Sequence, residues 1–159
     1  MVEGNQGMSA LSEYEELRSL AYKNMKRNGL TYLQFLESSS INKPNDVLII
    51  GQYLIDNNLI STNNKWRLLE RITICSLELD DKKTAANCIK KLTEKFTKNS
   101  NRVRILRGMF YETKHEIKKA HDEYDFILDS KNDPNHMMAH KRKIAIEISL
   151  NNKICAIKL

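Results

Sequence analysis

The 159 residues are 41% hydrophobic and 29% charged, the balance of a folded chain with room for one ordinary core, not of a disordered segment. Glycine (5) and proline (2) are scarce against about 12% in an average chain, which disfavours a many-turned sandwich or barrel and favours long helices. No apolar run approaches the ~18 residues of a membrane span, and Met1 to Gln6 lack the basic-then-apolar pattern of a secretory leader.

The first residues, 1–9, are expected to be a flexible tail, followed by N-terminal helices over 10–62. A helix is expected from Ser9 or Ser12, because Ser12 and Glu15 have the spacing of a capping box. Leu17, Leu20 and Ala21 would form its apolar face, and Asn28-Gly29 would end it in a left-handed turn. Thr31 to Glu37 reads as a further short helical piece. Ser38 to Lys43 reads as a loop, and Pro44 suits the first turn of the next helix, where its missing N–H costs nothing. That helix carries Val47, Ile50, Leu54 and Ile55 and stops in Asp56-Asn57-Asn58.

Beyond Asn63 the texture becomes periodic. Trp66, Leu69, Ile72 and Leu79 recur at helical spacing, and Asp80-Asp81 interrupts them. Ala85, Cys88, Ile89, Leu92 and Phe96 form a second stripe, closed by Thr97 to Asn101. Val103, Leu106 and Phe110, then Ile117, Ala120, Tyr124, Ile127 and Leu128, form a further pair that ends in the turn Lys131-Asn132-Asp133-Pro134. The last pair would begin at Met137 or Met138 and run through Ile144, Ile148 and Leu150 to Ile154, Ala156 and Ile157. The expected fold is therefore all-α: an α-solenoid of stacked helix-turn-helix units over 63–159, in repeats of about 63–98, 99–134 and an incomplete 135–159.

Ala85, Ala120 and Ala156 recur at nearly the 34-residue period of tetratricopeptide repeats. Gly108 and Tyr111 on one helix, with Ala120 and Tyr124 on the next and Pro134 closing the unit, complete the signature together with Trp66. Small residues would let paired helices approach, and aromatics would fill the groove to the next pair. A plain helical bundle is the competing reading of the same stripes.

The runs Arg102-Val103-Arg104-Ile105-Leu106-Arg107-Gly108-Met109, Ala120 with Tyr124-Asp125-Phe126-Ile127-Leu128, Asp133-Pro134-Asn135 and Lys141-Arg142-Lys143-Ile144-Ala145-Ile146 resemble the tetratricopeptide-repeat subunit 2 family of the endoplasmic reticulum (ER) membrane protein complex. The resemblance covers roughly 44–159, and the Lys141 to Ile146 run lies outside the general repeat consensus. The turn before Pro134 is longer here than in the family. Family members are also longer chains, and Leu159 falls inside the expected second helix of the last pair, so the array is expected to be open at that end. The resemblance implies a non-catalytic scaffold, peripheral on the cytosolic face of the ER. Its partners would be the other subunits of the complex, and the membrane would be reached only through them.

Charge is uneven. Residues 1–64 carry a net −2 and residues 65–159 a net +8, which suits an acidic protein, RNA or anionic headgroups, or simply a solvated helix face. Arg104, Arg107, Tyr111, Lys141 and Arg142 are the candidate partner contacts. The basic run Lys141-Arg142-Lys143 has no neighbouring Phe or Tyr for base stacking, which argues against nucleic acid. His136 and His140 share a helical spacing but lack the Glu of a zinc-hydrolase motif. Cys75, Cys88 and Cys155 have no zinc spacing and read as small buried hydrophobes. Asp80-Asp81 and Asp122-Glu123 read as helix-start acids. No catalytic residue, metal, cofactor or small-molecule substrate is expected. The alternative function is a general repeat adaptor for soluble protein or peptide partners, with RNA binding behind it.

Overall fold

The computed structural model describes residues 4–129 and 131–150, with side chains from Leu11 onward. Among these residues every regular element is an α-helix: α1 (Gly4–Lys23), α2 (Met25–Ser38), α3 (Pro44–Asp56), α4 (Thr62–Glu78), α5 (Lys82–Phe96), α6 (Asn101–Thr113), α7 (Ile117–Leu128) and α8 (Met137–Ser149). The chain forms two compact units, Met1–Cys75 and Ser76–Leu159. In each, helices pack on their chain neighbours, as in a helical repeat array. None is long and apolar enough to cross a membrane.

In the N-terminal unit α1 packs on α2 and α2 on α3. The core is Ala21, Tyr32, Leu33, Leu36, Val47, Ile50, Leu54, Leu69 and Ile72. The α3 stripe is thus as its spacing implies, and Pro44 opens that helix.

Three local expectations are corrected. The first helix begins at Gly4, upstream of Ser9 and Ser12, so 4–9 are helical and the Ser12–Glu15 pair lies inside α1; Leu20 is 42% exposed. The break falls at Asn24, whose side chain accepts from the Arg27 N–H at 3.1 Å and caps α2. Gly29 does not end a helix: it is buried inside α2, which continues through Thr31–Glu37. A Cβ there would stand 2.8 Å from Ile50 Cγ2, so the missing side chain is what lets α2 and α3 approach.

The helices stop without glycine. Ser40, Asn58, Asp80, Thr97 and His115 take positive φ just beyond α2, α3, α4, α5 and α6. Behind four of these residues the next N–H reaches back to a carbonyl five residues earlier: Ile41 to Leu36, Leu59 to Leu54, Asp81 to Ser76 and Glu116 to Tyr111, at 2.8–2.9 Å.

In the C-terminal unit α5 packs on α6, α6 on α7, α7 on α8, and α6 also touches α8. Ala85, Cys88, Ile89 and Leu92 of α5, Val103 and Leu106 of α6, and Ala120, Tyr124 and Ile127 of α7 are buried, as the stripes imply; Phe96 and Phe110 are half-buried. Two further corrections belong here. Asp81 caps α5 through the Thr84 N–H, but Asp122 and Glu123 sit mid-helix in α7, and Glu123 is buried. On α8 the inward residues are Ala139 and Ile146, while Ile148 is 60% exposed and Leu150, just beyond the helix, 49%. Polar ties to α7 and α6 hold that helix in a rotation other than the one its apolar spacing implies. Ile154, Cys155, Ala156 and Ile157 lie outside the described residues.

Of Gly29, Gly51 and Gly108, the last is seated most tightly. A Cβ on it would lie 2.4 Å from Cε1 and Cζ of the Tyr124 ring, and Tyr124 is fully buried with no room to withdraw. Gly108→Ala is expected to lower stability by about 1–3 kcal/mol through overpacking, although alanine is the better helix former. His115→Gly is expected to raise it by up to ~1 kcal/mol by relieving the left-handed backbone. Urea unfolding midpoints check both; opposite signs would contradict the packing described.

Candidate protein-interaction site

The candidate residues lie on α6 and α8 and are organised by two acids, Glu123, expected only as a helix-start acid, and Glu112. Glu123 falls on the inward face of α7 because it keeps helical register with Ala120, Tyr124 and Ile127. A buried carboxylate must be paired. Arg104 Nη1 donates to Glu123 Oε2 at 2.7 Å, and Arg107, one turn later on α6, reaches Glu123 Oε1 at 2.5 Å. Arg104 also lies over the Phe126 ring at 3.4 Å and donates to Asn99 Oδ1 at 3.0 Å. Its side chain is 13% exposed, against 28% for Arg107. The cluster keeps one positive charge in excess.

A second cluster joins three helices. The Tyr124 hydroxyl donates to Glu112 Oε1 at 2.5 Å. Arg142 of α8 donates to the same oxygen through Nε at 3.0 Å and pairs with Oε2 through Nη2. Burial pushes the Tyr124 phenol well above its ordinary range, and the bond to Glu112 adds to that. Burial works against the Arg142 charge, but Glu112 outweighs it and raises the pKa. Two further ties fix α8: Lys143 Nζ to Asp125 Oδ1 at 2.6 Å, and His121 Nε2 to Glu147 Oε1 at 3.3 Å.

The run Lys141-Arg142-Lys143 is therefore divided. Arg142 and Lys143 turn toward acids of α6 and α7, while Lys141 is exposed and forms no ion pair among the described residues. Tyr111 is half-buried against the Ala120–Tyr124–Ile127 cluster, under Lys119. The structure thus brings Arg104 with Arg107, and Arg142 with the Tyr124 hydroxyl. Of the repeat signature, Gly108 meets Tyr124, and Ala120 is buried in the same cluster as Tyr124; Ala85 is buried on α5; Trp66 is half-buried in the N-terminal unit; Pro134 is exposed, its carbonyl 2.8 Å from His140 Nε2. Cys75 and Cys88 are buried and in no disulfide. Among the described residues no group of three His, Cys, Asp or Glu could hold a metal ion.

The N-terminal unit has a comparable buried acid. Asp46, 4% exposed, accepts from Arg18 Nε at 2.9 Å, Tyr22 at 2.7 Å and Tyr32 at 2.5 Å. Burial alone would raise its pKa, but the hydrogen bonds from Arg18, Tyr32 and Tyr22 win and hold it below the ordinary range. Burial, then the bond to Asp46, pushes Tyr22 up to about 12.

No known protein-family model matches the chain, and no curated protein matches it significantly.

Glu123→Ala is expected to cost about 3 kcal/mol, because it strands Arg104 and Arg107 against an apolar face. Lys141→Ala is expected to change stability by under ~0.5 kcal/mol; chemical denaturation of both variants checks this. The Asp46 cluster predicts a pH profile. A carboxyl lowered on folding contributes stability that is full above its ordinary value of 3.8 and is lost as pH falls below it. A phenol raised to about 12 contributes fully below 10.0 and loses its share between the two. Asp46→Asn should remove the acid limb and cost about 2–3 kcal/mol, read from urea unfolding across pH.

Proposed function

We propose that this chain is a non-catalytic tetratricopeptide-type scaffold of the ER membrane protein complex. It would sit on the cytosolic face and hold cytosolic parts of other subunits while transmembrane segments are inserted. The observation that carries the reading is the α6–α7–α8 stack: Gly108 against Tyr124, with Glu112 and Arg142 tying the next helix on. A small residue seated against an aromatic ring between neighbouring helices supports a repeat-type stack. The resemblance of Arg102–Met109, Tyr124–Leu128 and Lys141–Ile146 to the subunit 2 family supports the particular complex. A helical array presents an extended surface for partner segments, and Lys141 with the outward edges of Arg107 and Tyr111 would offer polar contacts around apolar anchors. The absence of a membrane-length helix among the described residues agrees with a peripheral attachment.

The test is affinity purification of the tagged chain from detergent-solubilised ER membranes, with the attached proteins identified. Membrane-spanning subunits of one complex are expected in stoichiometric amounts. Recovery from the soluble fraction with only soluble partners would contradict the reading and favour a general adaptor.

A further inference from the structure

The N-terminal unit holds a pocket of about 120 Å³ that none of the three ion clusters uses. Its floor is Leu33 and Leu68, both buried, and Leu30 and Ile60 are half-buried beside them. Its polar members include Glu37, Arg67 and Arg71. Arg71 Nη1 donates to the Leu33 carbonyl at 2.7 Å and stands 3.8 Å from Glu37 Oε2, which fixes its guanidinium at the wall. Arg67 pairs with Glu37 yet leaves 73% of its side chain in solvent. Two cations about one carboxylate leave the rim with a positive charge.

An aliphatic floor releases water only to an apolar group, and a cationic rim favours a carboxylate beside it. We propose that this pocket docks a short acidic segment of a partner protein, one aliphatic side chain seated on Leu33 and Leu68 and a neighbouring carboxylate against Arg67. A base-flanked segment would meet Arg67 and Arg71 with like charge. A nucleic acid has no branched aliphatic side chain for the floor, and at most a thymine methyl. The proposal goes beyond the scaffold reading and does not depend on it, since the pocket lies largely upstream of the runs that carry the family resemblance.

The test is fluorescence anisotropy of the full chain with a fluorescein-labelled peptide holding one leucine between two glutamates in a glycine–serine background. Saturable binding is expected, weakened at least on the order of tenfold when the leucine becomes serine. Arg67→Glu should weaken it equally. So should Asn64→Glu, which places an acid at the exposed rim without removing the Arg67–Glu37 pair, in case Arg67→Glu unsettles the fold. Lys90→Glu, the same charge change on the exposed face of α5, should leave binding unaltered. The proposal is overturned by absent saturation, by equal weakening with Lys90→Glu, by a lysine-flanked leucine peptide binding as well, or by a dimer that Arg67→Glu dissolves in sedimentation. These results would leave the co-purification outcome untouched.

Discussion

One contact organises the C-terminal unit: the face of Gly108 against the ring of Tyr124. A side chain on Gly108 would overlap the ring, so α6 and α7 can lie this close only because the residue is glycine. The close approach buries the Tyr124 hydroxyl, and a buried hydroxyl needs an acceptor. Glu112, one helical turn after Gly108, supplies it. Glu112 is itself largely buried and needs a cation, which Arg142 brings from α8. A single missing side chain is thus linked through a ring, an acid and a guanidinium to the placement of a third helix.

The N-terminal unit uses the same logic with other residues. Gly29 and Gly51 let helices approach, with Ile50 filling the first gap and Ile72 and Leu68 the second. Asp46 then gathers donors from α1 and α2. Such clusters return little net stability, because desolvation offsets much of the attraction. Their stronger consequence is register: a helix turned by one residue would leave a buried charge without its partner. This explains why α8, with only Ala139 and Ile146 fully buried, has a definite rotation. Arg142, Lys143 and Glu147 all lie on its tied side.

The apolar stripes were legible. Val47, Ile50 and Leu54, then Ala85, Cys88 and Leu92, then Ala120, Tyr124 and Ile127 are buried at the expected spacings, because 3.6-residue periodicity and burial express one cause. Helix ends were less legible, for a physical reason. Gly29 reads as a stop signal, yet it and Gly51 serve close packing inside helices, as Gly108 does in line with its place in the repeat signature, and Ser40, Asn58, Asp80, Thr97 and His115 take the left-handed positions. Asp46 and Glu123 were hidden for another reason. An acid inside an apolar stripe looks like an interruption until its donors are placed, and those come from residues 19 and 28 positions away. Arg104 and Arg107 were noticed as cations, while their acid became visible only in three dimensions.

The scaffold proposal and the pocket proposal use different parts of the chain, but the first presupposes that α6, α7 and α8 stack as a repeat through the Gly108 seat. A double-mutant cycle between Gly108→Ala and Tyr124→Leu measures that seat directly. With the ring gone, alanine should be tolerated, so the two substitutions should couple by about 1 kcal/mol or more, within the range found for residues in contact. Additive effects would mean that α6 and α7 do not meet at this pair, and the stack built on it would not stand.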